Sequence, residues 1–192
     1  IQGVLASATP VMPDLFCVRD TCNVSVVRRG AEAVLVDFGS GAALDLLPSL
    51  GIERVTDVLV THHHRDQAEG LARAAEAGAR IWVPPVEREL FTGAGELWRQ
   101  RRLENTYETR QEALTLLRSV PVTGTVDEYR TRAYGPLEAY TLPTPGHTMG
   151  SVTYLVQLDG RLVAFCGDLL AGPGRLWSLA ATQWSYSGVN GQ

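Results

Sequence analysis

The order of strand-like and helix-like segments predicts an α/β fold, built as a sandwich of mixed sheets. Short valine-rich runs end in polar residues or glycine, which is typical of buried strands. Helical patterns separate several of these runs. Two pairs of runs are joined by short turns as hairpins, and hairpins favour mixed sheets over an all-parallel, doubly wound sheet.

The predicted strands form two hairpins and one separate segment. In chain order they are Asn23 to Arg28, Ala33 to Val36, Val55 to Val60, Ser151 to Leu158 and Leu162 to Cys166. The turn Arg29-Gly30 connects the first two strands, and Asp159-Gly160 connects the last two. The second of these dipeptides is a strong signal for a two-residue hairpin turn.

Three segments carry helical patterns. Ala42 to Leu50 is closed by Gly51, and the alanine-rich segment Gln67 to Ala77 is closed by Gly78. The longest helical stretch runs from Glu96 to Ser119 and stops before Pro121. Its apolar residues keep only a loose helical spacing. We therefore expect one broken helix or two helices there. This segment would cover a cleft and determine substrate specificity.

Composition points to one soluble domain over residues 1–192. Hydrophobic residues make up 45% and charged residues 20% of the chain, the net charge is −4, and the basic residues are scattered. This balance argues against nucleic-acid binding. No apolar run approaches the ~18–20 residues that span a bilayer. Three cysteines are too few for a disulfide scaffold, which favours the cytoplasm.

Histidines follow one of the buried strands directly. His62 and His64 are separated by one residue, and alternate residues of an extended chain point to the same side. Both imidazoles can therefore reach one ion. Asp66 follows two residues later and can reach the same region as a ligand or as a base.

All four histidines of the chain lie in two short segments, Thr61 to Gln67 and Thr144 to Thr148. His147 stands in the turn Thr-Pro-Gly-His-Thr, and Asp168 follows the last predicted strand. Three imidazoles and a water form a known catalytic zinc arrangement. The alternative is a solvated polar loop at residues 62–64 with a satisfied turn histidine at 147.

Four motifs in this order resemble the metallo-β-lactamase superfamily. They are Val-Leu-Val-Asp-Phe-Gly at 34–39, Thr-His-His-His-Arg-Asp at 61–66, Thr-Pro-Gly-His-Thr-Met-Gly-Ser at 144–151 and Gly-Asp at 167–168. The resemblance extends from about Asn23 to Asp168. The second and third motifs are specific in combination, whereas the first and last are weak alone.

The resemblance implies an αββα sandwich with metals at one edge, between the two sheets. It assigns His62, His64 and His147 to a first metal site. Asp66 and Asp168 would belong to a second site, with Asp168 bridging the two ions. Asp37 resembles the strand-end aspartate that supports the histidine loop. His63 would point away from the metals, as a packing or outer residue.

The chain departs from the family pattern in two places. Gln67 stands where the family usually has a histidine, and an amide oxygen is a poorer zinc ligand than imidazole. No histidine follows His147 to supply another second-site ligand. We therefore expect one zinc ion firmly bound and the second weak or absent.

Two explanations fit the missing ligand. Either residues 1–192 are the N-terminal part of a longer chain, so that the sandwich is incomplete at its C-terminus, which the resemblance favours, or the protein is a compact single-metal variant. In the first case Trp177, Trp184 and Tyr186 are core or interface residues that lack their cover, and self-association through this aromatic tail is a prediction. In the second case they line a substrate cleft.

The sequence thus predicts a metal-dependent hydrolase that uses a metal-bound hydroxide on a small ester, thioester or lactone. Asp66 would orient the water and accept its proton. One alternative is an oxidoreductase with a single iron, resembling sulfur dioxygenases of this fold, because two histidines and one carboxylate favour iron. The other is a non-catalytic domain that binds a metal, a ligand or a partner.

Overall fold

The computed structural model describes residues 7–100 and 114–176. Their strands are β1 (Ala8–Met12), β2 (Leu15–Arg19), β3 (Asn23–Arg29), β4 (Glu32–Val36), β5 (Arg54–Leu59), β6 (Arg80–Val83), β7 (Gly124–Thr125), β8 (Thr131–Tyr134), β9 (Leu137–Pro143), β10 (Val152–Leu158), β11 (Arg161–Phe165), β12 (Leu170–Gly172) and β13 (Arg175–Leu176).

The α-helices of the described residues are short. They are α1 (Ala43–Leu46), α2 (Arg65–Ala68), α3 (Leu71–Glu76), α4 (Arg88–Thr92) and α5 (Ala94–Gln100). Single 3₁₀ turns cover Leu47–Leu50, Pro85–Glu87 and Gly167–Leu169. No helix of the described ranges is long and apolar enough to cross a membrane.

The strands form two main sheets. The first has the order β1-β2-β3-β4-β5-β6-β7, antiparallel from β1 to β4 and parallel from β4 to β7. The second has the order β11-β10-β9-β8 and is antiparallel throughout. Strands β12 and β13 make a separate pair. The mixed-sheet prediction is confirmed.

Each face of the first sheet is buried against a different layer. One face packs on the helices, for example Val58 and Ile81 with Leu71 and Phe91. The other face packs on the second sheet, where Leu59 and Trp82 share a core with Tyr154 and other residues. Because both faces are covered at the centre of the sheet, β4 is a nearly continuous apolar run instead of an alternating one.

All five predicted strands are confirmed, with ends that differ by about one residue. The two predicted hairpins pair β3 with β4 and β10 with β11. Strands β1, β2, β6 to β9, β12 and β13 were not predicted, because their segments lack a valine-rich run.

The first two predicted helical segments are confirmed in position, but each is divided into two shorter pieces. Residues 42–50 form α1 and a 3₁₀ turn, which ends at Gly51 with φ 71°. The second segment is split into α2 and α3 at Gly70. A Cβ atom at position 70 would lie 2.3 Å from the carbonyl carbon of Ser40, so only glycine permits this approach of two backbones.

The prediction of helix up to Ser119 is wrong at its C-terminal end. Helix α5 accounts for its beginning, and residues 101–113 lie outside the described residues. Thr115 instead forms a β-bridge with His64, and the Arg65 guanidinium donates two hydrogen bonds to the Thr115 carbonyl. These contacts replace helical hydrogen bonds. The predicted tail residues Trp177, Trp184 and Tyr186 also lie outside the described residues.

Candidate metal centre

Loops from both sheets meet at one edge of the sandwich. Strands β4 and β5 are parallel, so their carboxyl ends, followed by Asp37 and His62, lie side by side. In the antiparallel second sheet, the β9–β10 connection and the end of β11 lie at one edge and carry His147 and Asp168. The Val152 amide donates to the Thr61 carbonyl at 3.0 Å and joins the two sheets there.

Three histidines converge at this edge. His62, His64 and His147 are buried, and one nitrogen of each ring lies within 4.8 Å of the others. The His147 Nε2 and His64 Nδ1 atoms are 2.8 Å apart. The three rings meet edge to face, with centroids 4.6 to 4.7 Å apart. These three nitrogens form a compact donor set of the kind that holds zinc.

One ring nitrogen in the cluster makes no hydrogen bond. Among the described residues, His62 Nε2 is fully buried and has no hydrogen-bond partner. An orphaned buried nitrogen is costly, and a bound cation would remove that cost. The residues present therefore fit a metal ion.

The surroundings of all three imidazoles favour the neutral form, which is the form that binds a metal. Burial is the largest cause that lowers the pKa of His62, and the neighbouring histidines lower it further. Burial, followed by the charges of His63 and His147, lowers the pKa of His64 to about 2. Burial also lowers the pKa of His147, against an opposing effect of Asp66.

Asp37 holds the histidine loop through Thr61. The Thr61 amide donates to Asp37 Oδ1 at 2.8 Å, and the Thr61 hydroxyl lies 2.9 Å from Asp37 Oδ2. The same hydroxyl is 3.0 Å from His62 Nδ1. Burial raises the pKa of Asp37 to about 7. Its φ of 59° is rare for a residue other than glycine, and the structure holds this conformation at the strand exit.

Asp168 lies beside the histidines, and Gln67 holds it. Asp168 Oδ2 is 3.4 Å from His147 Nε2 and 4.0 Å from His62 Nε2. The Gln67 amide donates to Asp168 Oδ1 at 3.1 Å. Burial raises the pKa of Asp168, and the bond from Gln67 lowers it in part. The position where the family usually has a second-site histidine is thus occupied by a hydrogen-bond donor.

Asp66 lies in the wall of a cavity that reaches the histidine cluster through Asp168. This cavity, of about 340 Å³, is also lined by Gln67, Asp168, Cys22 and Cys166. Burial is the main cause that raises the pKa of Asp66, and Asp168 raises it further. Asp66 does not belong to the compact group of three nitrogens. The geometry places Asp66 where it can face a substrate or a water.

His63 contacts a residue that sequence reasoning missed. Its Nδ1 lies 3.1 Å from Oε2 of Glu87, and its backbone amide donates to the same oxygen at 2.8 Å. Glu87 is 2% exposed. Burial raises its pKa, but hydrogen bonds and the charge of His63 lower it by more, so the net pKa lies below its ordinary value. No sequence pattern marks Glu87, because its partners lie far away in the chain.

Known proteins resemble this chain over most of its length. It is 30% identical over 167 residues to a hydroxyacylglutathione hydrolase of Shewanella pealeana, covering 83% of this chain and 52% of that protein. It is 32% identical over 137 residues to the hydroxyacylglutathione hydrolase of Pseudomonas aeruginosa, covering 70% of this chain and 41% of that protein. The chain spans about half the length of the curated relatives it matches.

Solved structures share the fold. A metallo-β-lactamase with a HARLDQ motif from Cronobacter sakazakii superposes with a TM-score of 0.69 at 21% identity, covering 95% of this chain and 72% of that one. That motif and residues 62–67 both begin with His and end with Asp-Gln. The family profile matches residues 18–185, and this chain therefore belongs to the metallo-β-lactamase superfamily.

Proposed function

We propose that this protein is a metal-dependent hydrolase. The observation that carries this proposal is the convergence of three buried imidazoles with one nitrogen of each within 4.8 Å of the others. The family and the hydrolase names of its relatives support it. A cavity lined by Asp66 and Asp168 supplies space for a small substrate, and Asp168 connects it to the histidines.

We propose zinc as the metal, held by His62 Nε2, His64 Nδ1 and His147 Nε2. Three neutral nitrogen donors suit zinc, and this set leaves a position open. When bound, such an ion supplies Lewis acidity, which lowers the pKa of a coordinated water to about 7 and polarises a substrate carbonyl. Thr61 and Asp37 hold the His62 ring so that Nε2 faces the ion.

We propose Asp66 as the general base and Asp168 as the group that orients water. Asp66 lines the cavity, and burial raises its pKa, which makes the carboxylate a better proton acceptor. Asp168 presents Oδ2 to the histidine nitrogens while Gln67 fixes its other oxygen. Its Oδ2 can therefore accept a hydrogen bond in a constant orientation.

We propose a single tightly bound ion. Gln67 presents its amide N–H₂ toward Asp168, whereas a second cation would need lone pairs from both residues. Turning the amide would bring its oxygen against the carboxylate and cost that hydrogen bond. Gln67 therefore acts against a second ion at this position.

We propose a thioester of a small acid as the substrate. The relatives named hydroxyacylglutathione hydrolases support this class, and small esters and lactones react by the same chemistry. We keep the cytoplasm as the proposed compartment, which the three free cysteines support. We also keep the proposals of a small-molecule partner and of no nucleic-acid partner, which the acidic net charge of −4 supports.

The test is to purify the full chain, remove its metal, and measure hydrolysis of a hydroxyacylglutathione with and without Zn²⁺. A panel of an ester, a lactone, a phosphodiester and a β-lactam defines the substrate class. We expect thioester hydrolysis that requires Zn²⁺ and is lost in His62→Ala and His147→Ala. Hydrolysis by the metal-free variants would contradict the proposal. A silent panel with zinc bound would favour a non-catalytic domain.

An iron-dependent oxidoreductase is the second candidate. The observation that favours it is the carboxylate of Asp168 beside His62 and His147, since two histidines and a carboxylate form a known iron site. Oxygen uptake with a persulfide substrate after loading with Fe²⁺ would support it. Hydrolysis with Zn²⁺ and no oxygen uptake with Fe²⁺ would exclude it.

A further inference from the structure

Glu87 joins the two loops that carry the histidine cluster. It follows β6, which lies next to β5 in the parallel part of the first sheet, so the two strands end at the same edge. Its Oε2 accepts the His63 backbone amide at 2.8 Å. Its Oε1 accepts the Gly150 backbone amide at 3.0 Å. One carboxylate therefore binds a backbone N–H of each loop.

Both of these amides lie close in the chain to the metal-ligand histidines. His63 stands between His62 and His64, so its backbone sets where both rings begin. Gly150 lies three residues after His147, in the short loop before β10. Fixing these two amides fixes the separation between the pair of histidines on one sheet and the single histidine on the other.

Burying a carboxylate is unfavourable unless its oxygens find partners. An isolated buried charge is strongly destabilising unless hydrogen bonds and opposite charges offset its loss of hydration. Glu87 is 2% exposed, so its carboxylate is almost completely removed from water. An apolar residue would fill the same space but could not accept two backbone amides. The carboxylate is required where the two loops must be held together.

Gly150 leaves room for this carboxylate. A Cβ atom at position 150 would lie 2.6 Å from Glu87 Cγ and 3.0 Å from Glu87 Cδ. The first of these distances is shorter than carbon atoms tolerate, so a side chain there would displace Glu87. Position 150 thus provides a second way to disturb the same clamp without removing its charge.

We propose that Glu87 is a positioning residue that clamps the two ligand loops and sets the spacing of His62 and His64 from His147. The clamp determines metal affinity and coordination geometry without touching the metal or the substrate. This inference rests on the proposed function, because it requires that the three histidines bind a metal ion.

The variants that test the clamp are Glu87→Gln and Gly150→Ala. Glutamine keeps the shape of Glu87 but can accept only one of the two amides, since its NH₂ group would face the other N–H. Asp57→Asn is the matched control. Asp57 is also a fully buried carboxylate, but its hydrogen bonds come from Trp82 Nε1 at 2.7 Å and Arg80 at 2.8 Å, both in β6.

The measurements are the Zn²⁺ and Co²⁺ dissociation constants, by competition with a chromophoric chelator, and the visible absorption spectrum of the Co²⁺ form. We expect Glu87→Gln and Gly150→Ala to bind both ions roughly 10–100-fold more weakly, as for other groups that orient metal ligands. We also expect their Co²⁺ spectra to change. Asp57→Asn should keep the wild-type spectrum and affinity.

The outcomes separate the two proposals. If wild type binds neither ion, the proposed function is wrong, and so is the proposal that Glu87 positions metal ligands. If wild type binds zinc and both clamp variants match its affinity and spectrum, only the clamp is wrong. Equal weakening in Asp57→Asn and the clamp variants would also overturn the clamp, because it would reveal a general loss of stability. If Glu87→Gln does not fold, Gly150→Ala decides by the same criteria.

Discussion

At the scale of single residues, the hydroxyl of Thr61 connects a buried carboxylate to a histidine ring. It lies 2.9 Å from Asp37 Oδ2 and 3.0 Å from His62 Nδ1. If the hydroxyl donates to Asp37, its oxygen accepts from Nδ1–H of His62. That arrangement leaves the lone pair of His62 on Nε2, facing the other histidines, which is the tautomer that binds a metal.

Thr61→Val should therefore weaken zinc binding about 10–100-fold, because it removes the hydroxyl while keeping the shape of the side chain. Thr61→Ser keeps the hydroxyl and serves as the control, with affinity close to wild type. Zinc dissociation constants measured by chelator competition check this. Equal affinity in the two variants would show that the hydroxyl does not select the tautomer.

The raised pKa of Asp37 should make the free energy of unfolding depend on pH. Burial raises its pKa from 3.8 to about 7 in the folded protein. Between these values the folded state keeps a proton that the unfolded state has lost, so the contribution of Asp37 to stability falls as the pH rises.

Asp37→Asn cannot ionise. The stability of the metal-free variant relative to wild type should therefore increase between about pH 4 and about pH 7, by up to roughly 4 kcal/mol. Urea unfolding of both metal-free proteins across this range gives the free energies. A difference that stays constant with pH would mean that Asp37 titrates with its ordinary pKa.

At the scale of elements, the exit of β11 fits against the histidine loop only because of Gly167. Its φ is 50°, and a Cβ atom there would lie 2.5 Å from Thr61 Oγ1 and 3.4 Å from His62 Nδ1. This close approach brings the following residue, Asp168, to the histidines. In the Gly-Asp motif, glycine is therefore needed because no side chain fits at position 167, and aspartate is needed because its carboxylate lies beside the histidines.

Gly167→Ala should destabilise the protein and weaken zinc binding, because the new methyl group pushes the two loops apart. Gly30→Ala is the matched control, since Gly30 has a φ of 63° and a Cβ atom there would meet no other atom within 4 Å. Both variants carry the left-handed backbone cost of about 1–2 kcal/mol. Thermal unfolding and zinc titration of both variants measure the two effects, because only Gly167→Ala adds a steric clash to the backbone cost. The same affinity in both variants would contradict the steric explanation.

The elements also show which parts of the fold can be predicted from sequence. Strands β4 and β5 are covered on both faces, so their valine-rich runs reveal them locally. The break at Gly70 and the loss of helix after Thr115 depend on contacts with Ser40 and with His64, which are distant in the chain. Local periodicity carries no information about such contacts.

The same reasoning applies to the site. His62, His64 and His147 stand out because their residue type and spacing have few other uses. Glu87 has no such signature, since a glutamate after two prolines is usually a surface residue. Its burial arises only when the two histidine loops come together. The metal-binding residues of the site could therefore be predicted from the sequence, but the buried glutamate that contacts their loops could not.

At the scale of the whole molecule, the histidine cluster ties the two sheets together. His62 and His64 follow a strand of the first sheet, whereas His147 precedes a strand of the second. An ion shared by the three binds the folded state and not the unfolded one, so it stabilises the fold by mass action. At a zinc concentration about 100 times the dissociation constant, the gain is about 2.7 kcal/mol.

Zinc should consequently raise the Tm of wild type, with a shift that grows with the zinc concentration. His147→Ala should lose this shift, because the second sheet no longer contributes a ligand. Scanning calorimetry with and without Zn²⁺ measures it. A shift that persists in His147→Ala would place the zinc elsewhere in the protein.

The single-zinc hydrolase proposed here is tested most sharply by the number of zinc ions per chain. Native mass spectrometry counts them on protein titrated with Zn²⁺ and assayed for hydrolysis at each step. Thioester hydrolysis should rise with the first ion and be complete when a single ion is bound. Wild type that hydrolyses without zinc, or that needs a second ion for activity, would contradict this mechanism.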